Sequence, residues 1–166
     1  MTHTLPEGWS DFGVAAAGAT AALAGLLVVA MSVNVAEIMG SKVTVAGART
    51  TIASLVLAIA ASLLILPAGQ TLGGLGIPVL VLAAGASVVQ VAALRTQGHA
   101  EAEGMTRPVR ATSIGLAAGE HLPFLVGGIL LVCGVANGLW WIVVGIVAVV
   151  LSSMVNAWVL LIEVRR

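Results

Sequence analysis

Charge is what this sequence has least of. Asp, Glu, Lys and Arg together make 8% of its 166 residues, against about 25% in a soluble domain. A chain with so few charges has little surface to offer to water, and its formal net charge of zero argues against nucleic acid as a partner. Cysteine is nearly absent too. The single thiol, Cys133, lies inside an apolar run, which excludes an intramolecular disulfide and a cysteine-built metal centre and reads as a small buried hydrophobe. The sequence also lacks a Gly-rich phosphate loop after a strand, a nucleophile elbow, and a paired Cys or His-Glu zinc motif. It therefore offers no catalytic residues, no metal site and no cofactor, and reads as non-enzymatic. The opening segment MTHTLPEGWSDF has no Lys or Arg and carries Glu7 and Asp11. A cleaved signal wants a positive start and an apolar stretch of about 7–15 residues. The stretch that follows is much longer, so it reads as a retained span.

What remains is apolar. Hydrophobic residues make up 60% of the chain, and the mean hydropathy is +1.13. This composition predicts an all-α integral membrane protein with the lipid bilayer as its first partner. Twenty glycines and many alanines suit close helix packing in lipid. A helix crosses about 30 Å of hydrocarbon in about 20 residues. The apolar runs place helices at about 12–38, at 51–66 (ended by Pro67) and at 75–94. The stretch from 111 to 162 is too long for one helix, and ANG at 136–138 divides it into 111–136 and 138–162. The result is a single domain of five spans.

The basic residues set an orientation. Lys42 and Arg49 flank the first connection, and Arg95, Arg107 and Arg110 flank the third. Arg165 and Arg166 form the C-terminus. With five spans all seven fall on one side, which the positive-inside rule assigns to the cytoplasm. The N-terminus is then outside and the C-terminus cytoplasmic. Trp9, Trp140 and Trp141 take the outer interface and Trp158 the inner one.

Polar residues inside the spans are the candidate site, because lipid makes such groups costly. They are Asn34 and Glu37 on the first helix, Gln90 on the third, Glu120 and His121 on the fourth, and Asn156 on the fifth. Helix arithmetic puts them in one layer of the cytoplasmic half, with Glu37 also suited to the interface. The layer serves either as a hydrogen-bond network that locks helices or as a functional site. Leu122 to Ala136 spans about 22 Å of helix, short of about 30 Å, which draws Glu120 and His121 below the membrane surface. Pro123 predicts a loosened turn there. Glu120 is expected to face the interior and meet Asn34, Gln90 or Asn156. Ala17, Ala21 and Gly25 repeat every four residues on the first helix and predict a close helix contact. His99, Glu101 and Glu103 alternate in the longest connection and read as a solvated loop rather than a metal site.

AGATAALAGLLVVAMSVN in the first helix, PAGQ after the second, LPFLVGGILL in the fourth, and GLWW and NAWVLLIEVRR in the fifth resemble a group of short multi-pass membrane proteins from actinobacteria. The group has no established function. The resemblance implies a bacterial inner membrane and brings no catalytic residues. The leading expectation is a non-enzymatic component: a self-associating bundle (a homo-oligomer), or a small subunit or modulator of a larger membrane assembly. The rival expectation is a small proton- or cation-linked transporter or channel built on the polar layer.

Overall fold

The computed structural model describes residues 5–100 and 107–162. Six helices follow in order: α1 Trp9–Val33, α2 Val35–Met39, α3 Lys42–Leu64, α4 Leu72–Ala100, α5 Arg107–Val132 and α6 Gly138–Ile162. The expected all-helical architecture is present. Two boundaries differ from the sequence reading in ways that matter. The expected helix at 12–38 is broken at Asn34, whose backbone leaves the helical region (φ −112°, ψ 25°). Its side-chain Nδ2 donates to the Ala30 carbonyl at 3.0 Å, and such local side-chain bonds compete with helix continuation. The expected helix at 51–66 begins at Lys42 instead, nine residues earlier. Lys42 and Arg49 are compatible with this because long basic side chains can lay their stems along apolar surface and hold their charges at its edge. α5 runs on through Pro123. A proline inside a helix of an apolar bundle is tolerated when neighbouring helices compensate for the lost bond.

The five long helices alternate in direction. Around the bundle α1 packs on α3, α3 on α4, α4 on α5, α5 on α6, and α6 returns to α1, while α3 and α6 also meet across the middle. One end carries the Trp9 end of α1 and the turns at 65–71 and 133–137. Gly69 (φ 72°) and Gly134 (φ 78°) supply left-handed turns there that side chains resist. At the same end Trp9 meets Trp140 edge to face with centroids 5.6 Å apart, and the Leu5 N–H donates to the Gln70 carbonyl. The other end carries Lys42, Arg49 and Arg95. Arg165 and Arg166 lie outside the described residues.

Close approach through glycine holds the helices together. A methyl group built on Gly76 of α4 would lie 2.9 Å from the Gly128 carbonyl oxygen of α5, and one on Gly127 would lie 2.7 Å from the Gly138 carbonyl oxygen of α6. Adjacent Gly127 and Gly128 point about 100° apart on the helix, so this pair lets α5 press on both neighbours at once. Gly145 of α6 receives the Phe124 ring, which is fully buried. Gly13 lets α1 approach the Ser62 carbonyl of α3. The outer surface is the reverse of a soluble protein's: Val28, Val29, Ile77, Val81, Val88, Leu151 and Met154 are all exposed. Among the described residues, Trp9–Val33, Lys42–Leu64, Leu72–Thr96 and Gly138–Trp158 are long and apolar enough to cross a membrane, and Ala118–Val132 within α5 is a shorter apolar stretch. Together with the apolar exterior, this makes the chain a membrane protein.

Candidate functional site: a hydroxyl and carboxyl pair inside the bundle

Most hydroxyls of this bundle look after themselves. Thr20 donates to the Ala16 carbonyl at 2.7 Å, Ser62 to Ala58 at 2.8 Å and Ser87 to Ala83 at 2.7 Å, each one turn back on its own helix. Ser54 does not. Buried on α3 at 1% exposure, it donates across the bundle to Glu120 Oε2 on α5 at 2.6 Å. α3 and α5 are not neighbours around the ring, so this bond spans the interior. One turn nearer the basic end, Asn156 Nδ2 of α6 donates to Thr51 Oγ1 of α3 at 3.1 Å, and the Thr51 hydroxyl donates in turn to the Gly47 carbonyl at 3.0 Å. Thr51 and Ser54 are three residues apart and share one helix face. The two bonds therefore form one cluster that ties α3 to α5 and to α6.

The expected residues separate into those the cluster contains and those it does not. Glu120 and Asn156 are in it, but neither has the partner the sequence suggested: Glu120 meets Ser54 rather than Asn34, Gln90 or Asn156. Glu120 is half-buried, and Asn156 is exposed on α6 and reaches back to Thr51. His121 is buried at 5% exposure. It lies two turns before Gly128, on the stripe that presses towards α4, whereas Glu120 shares the stripe of Gly127. Asn34 is buried at the break between α1 and α2. Glu37 is exposed on α2, and Gln90 is half-buried on α4. Among the described residues no hydrogen bond joins Glu37 or Gln90 to the cluster. Ser153 of α6, 3% exposed, has no hydrogen-bond partner for its Oγ among the described residues.

Three further expectations need correction or limits. Ala17 is half-buried, Ala21 and Gly25 are exposed, and a methyl group on Gly25 would meet nothing within 4 Å. The face of α1 that packs within the chain is instead Gly13, Ala16, Thr20, Leu27 and Ala30. The larger Leu27 and the hydroxyl of Thr20 fill that seam, and the purely small face turns outward. Cys133, expected to be buried, is exposed where α5 ends. Glu101 and Glu103 lie outside the described residues. Among those described, no group of three His, Cys, Asp or Glu side chains could hold a metal ion.

Sequence reasoning missed Thr51 and Ser54. The available signal was the run Thr51, Ser54, Ala58, Ala61, Ser62, small or hydroxylated residues at helical spacing. A helix that begins at Thr51 places both hydroxyls at its surface end. Starting at Lys42, the rise of about 1.5 Å per residue puts Ser54 about 18 Å along α3, near its middle. Glu120 is as far from the end of α5, twelve residues before Val132. The pair sits at mid-depth rather than in a layer near one surface. Compared with models of protein families, with curated proteins and with solved structures, the chain matches none.

Proposed function

We propose that the chain is a non-enzymatic component of a bacterial inner membrane: a five-span bundle, N-terminus outside and C-terminus cytoplasmic, that associates with itself or serves as a small subunit or modulator of a larger membrane assembly. One observation carries this reading. The outward face of α1 is built from Gly18, Ala21, Ala22 and Gly25, all exposed, and methyl groups on Gly18 and Gly25 would touch nothing. Inside the bundle, glycine brings α1 close to α3, α4 to α5 and α5 to α6, and small residues at four-residue spacing are what lets helices associate in lipid. The five spans and the orientation rest on the one-sided distribution of Lys and Arg. The inner membrane rests on the resemblance to short actinobacterial membrane proteins.

The test is the mass of the purified chain in mild detergent, together with crosslinking in native membrane. We expect a species larger than one chain, and we expect Gly25→Leu to shift it towards the monomer. A strictly monomeric chain that crosslinks to nothing in native membrane would remove the proposal. The rival reading, a proton- or cation-linked transporter or channel, is favoured by one feature: a carboxyl group hydrogen-bonded across the bundle, followed in the sequence by a buried imidazole. Ion flux into liposomes that Glu120→Gln abolishes without unfolding the bundle would establish it instead.

A further inference from the structure

Three adjoining hollows meet on the lipid-facing side of α3 near its first turns. The first, about 470 Å³, runs between α3 and α4 and is lined by apolar side chains such as Ile52, Val89 and Ala92. The second, about 370 Å³, runs between α1, α2 and α3 along Val28, Val35 and Ile52. Between them lies a smaller one of about 260 Å³, where Lys42, Arg49 and Thr96 converge. Arg49 lines all three, and Ile52 separates the two apolar grooves. Lys42 and Arg49 are seven residues apart, on one face of the helix. Among the described residues no acidic side chain pairs with either of them.

We propose that this is a binding site for one anionic phospholipid. Its phosphate sits in the small hollow against the Lys42 ammonium and the Arg49 guanidinium, beside Thr96, whose own proton goes to the Ala92 carbonyl, and its two acyl chains lie in the grooves on either side of Ile52. Two basic side chains without acidic partners ask for an anion, and basic pockets between spanning helices are known to take anionic headgroups. The grooves supply what a free phosphate has no use for: two apolar channels that open from the same basic point. The lipid belongs to the leaflet at the Lys42 end, whichever side of the cell that is, and the site does not depend on self-association.

The full chain, purified in detergent, is titrated with phosphatidylglycerol, with phosphatidylcholine of the same acyl chains, and with glycerol 3-phosphate, and bound adducts are counted by native mass spectrometry. We expect one retained phosphatidylglycerol per chain and at least tenfold weaker phosphatidylcholine. At about fivefold per surface charge, Arg49→Gln should weaken phosphatidylglycerol about fivefold, and Lys42→Gln with Arg49→Gln about 30-fold. Ala92→Phe fills the larger groove without changing charge and should also weaken it. Arg95→Gln, an exposed charge at the same end that lines none of the hollows, should leave affinity unchanged. Lipid-free melting curves that match the parent separate loss of the site from loss of the fold. Equal affinity for the neutral lipid, or an unchanged affinity in the folded double variant, overturns the proposal. So does glycerol 3-phosphate binding as tightly as the lipid, which would make this a phosphate site alone.

Discussion

Replacing Ser54 by alanine removes one oxygen and introduces no clash, and its cost can be worked from what is left behind. Glu120 Oε2 loses a donor at 2.6 Å, and the Ser54 position, 1% exposed, has no water to supply another. Stranding a buried polar group costs about 1–3 kcal/mol, whereas hydrogen bonds between membrane helices average about 0.6 and reach about 1.7 kcal/mol. The bond is short and links helices that are not neighbours, so a value near the top of the second range, about 1.5 kcal/mol, is expected. On the scaling for a chain of this size, melting in detergent should fall by about 3–6 °C.

The reverse change should be milder. In Glu120→Leu the Ser54 hydroxyl can turn to the carbonyl one turn back, as Thr20, Ser62 and Ser87 already do. Its cost should therefore stay below about 0.5 kcal/mol, since nothing is left unpaired on α3. Glu120→Gln keeps an acceptor oxygen and should melt close to the parent. The assay is thermal melting of the four proteins of the Ser54→Ala, Glu120→Leu cycle, with Glu120→Gln beside them. The reasoning fails if Ser54→Ala melts like the parent, or if Glu120→Leu costs more than Ser54→Ala.

Other outcomes follow from the same geometry. Gly76→Ala sets a methyl group against the Gly128 carbonyl and the Val132 amide, which as backbone cannot swing aside; chemical unfolding should show a loss of about 1–3 kcal/mol. Gly25→Ala, with nothing in reach, should leave the monomer's stability unchanged, and a loss like that of Gly76→Ala would mean that α1 is turned wrongly. Cys133, the single native thiol and exposed, should react with a membrane-impermeant maleimide on intact cells, whereas a cysteine at Gly40 in a Cys133→Ser background should not. The opposite labelling pattern reverses the orientation. Phe124→Ala empties a fully buried ring site against Gly145 and should cost about 3–5 kcal/mol, read from the same unfolding curves.

The sequence carries the architecture because lipid leaves few choices: every backbone group must be paired within the span, so long apolar runs become helices. The sites of glycine approach are harder to read. Gly25 and Gly128 look alike in a one-dimensional search, yet one faces outward and the other touches Leu80. A helix that is apolar all round gives no hydrophobic stripe to reveal which face is inside. The pairing of Glu120 was hidden for a different reason. The amides of Asn34, Gln90 and Asn156 are the conspicuous partners in apolar surroundings. Serine is not conspicuous, since in a membrane helix it normally bonds to its own backbone. The start of α3 compounded this. Lys42 and Arg49 suggest a loop if charge is taken to end a helix, although their long stems allow charges to extend from within one.

The depth of α3 links its two distinctive features. Its Lys42 ammonium and Arg49 guanidinium must stay near headgroups, which fixes how far the helix can slide along the membrane normal. At the opposite end of the bundle the Trp9 and Trp140 rings meet edge to face, and such aromatic rings suit a membrane interface. From Lys42 to Leu64 is about 33 Å of helix, close to the hydrocarbon thickness of about 30 Å. Ser54 lies about 18 Å along that length, near its middle, and at 1% exposure a lost partner has no ready substitute there. A polar bond there discriminates most strongly between the correct arrangement of α3 against α5 and any other. Rotating α3 by one residue would turn Ser54 about 100° away and leave the Glu120 carboxyl facing aliphatic side chains. A second bond one turn away, from Asn156 to Thr51, would break in the same rotation. The two bonds therefore set the register of a helix whose apolar surface has no preferred side, and that role holds whether or not Glu120 also handles protons.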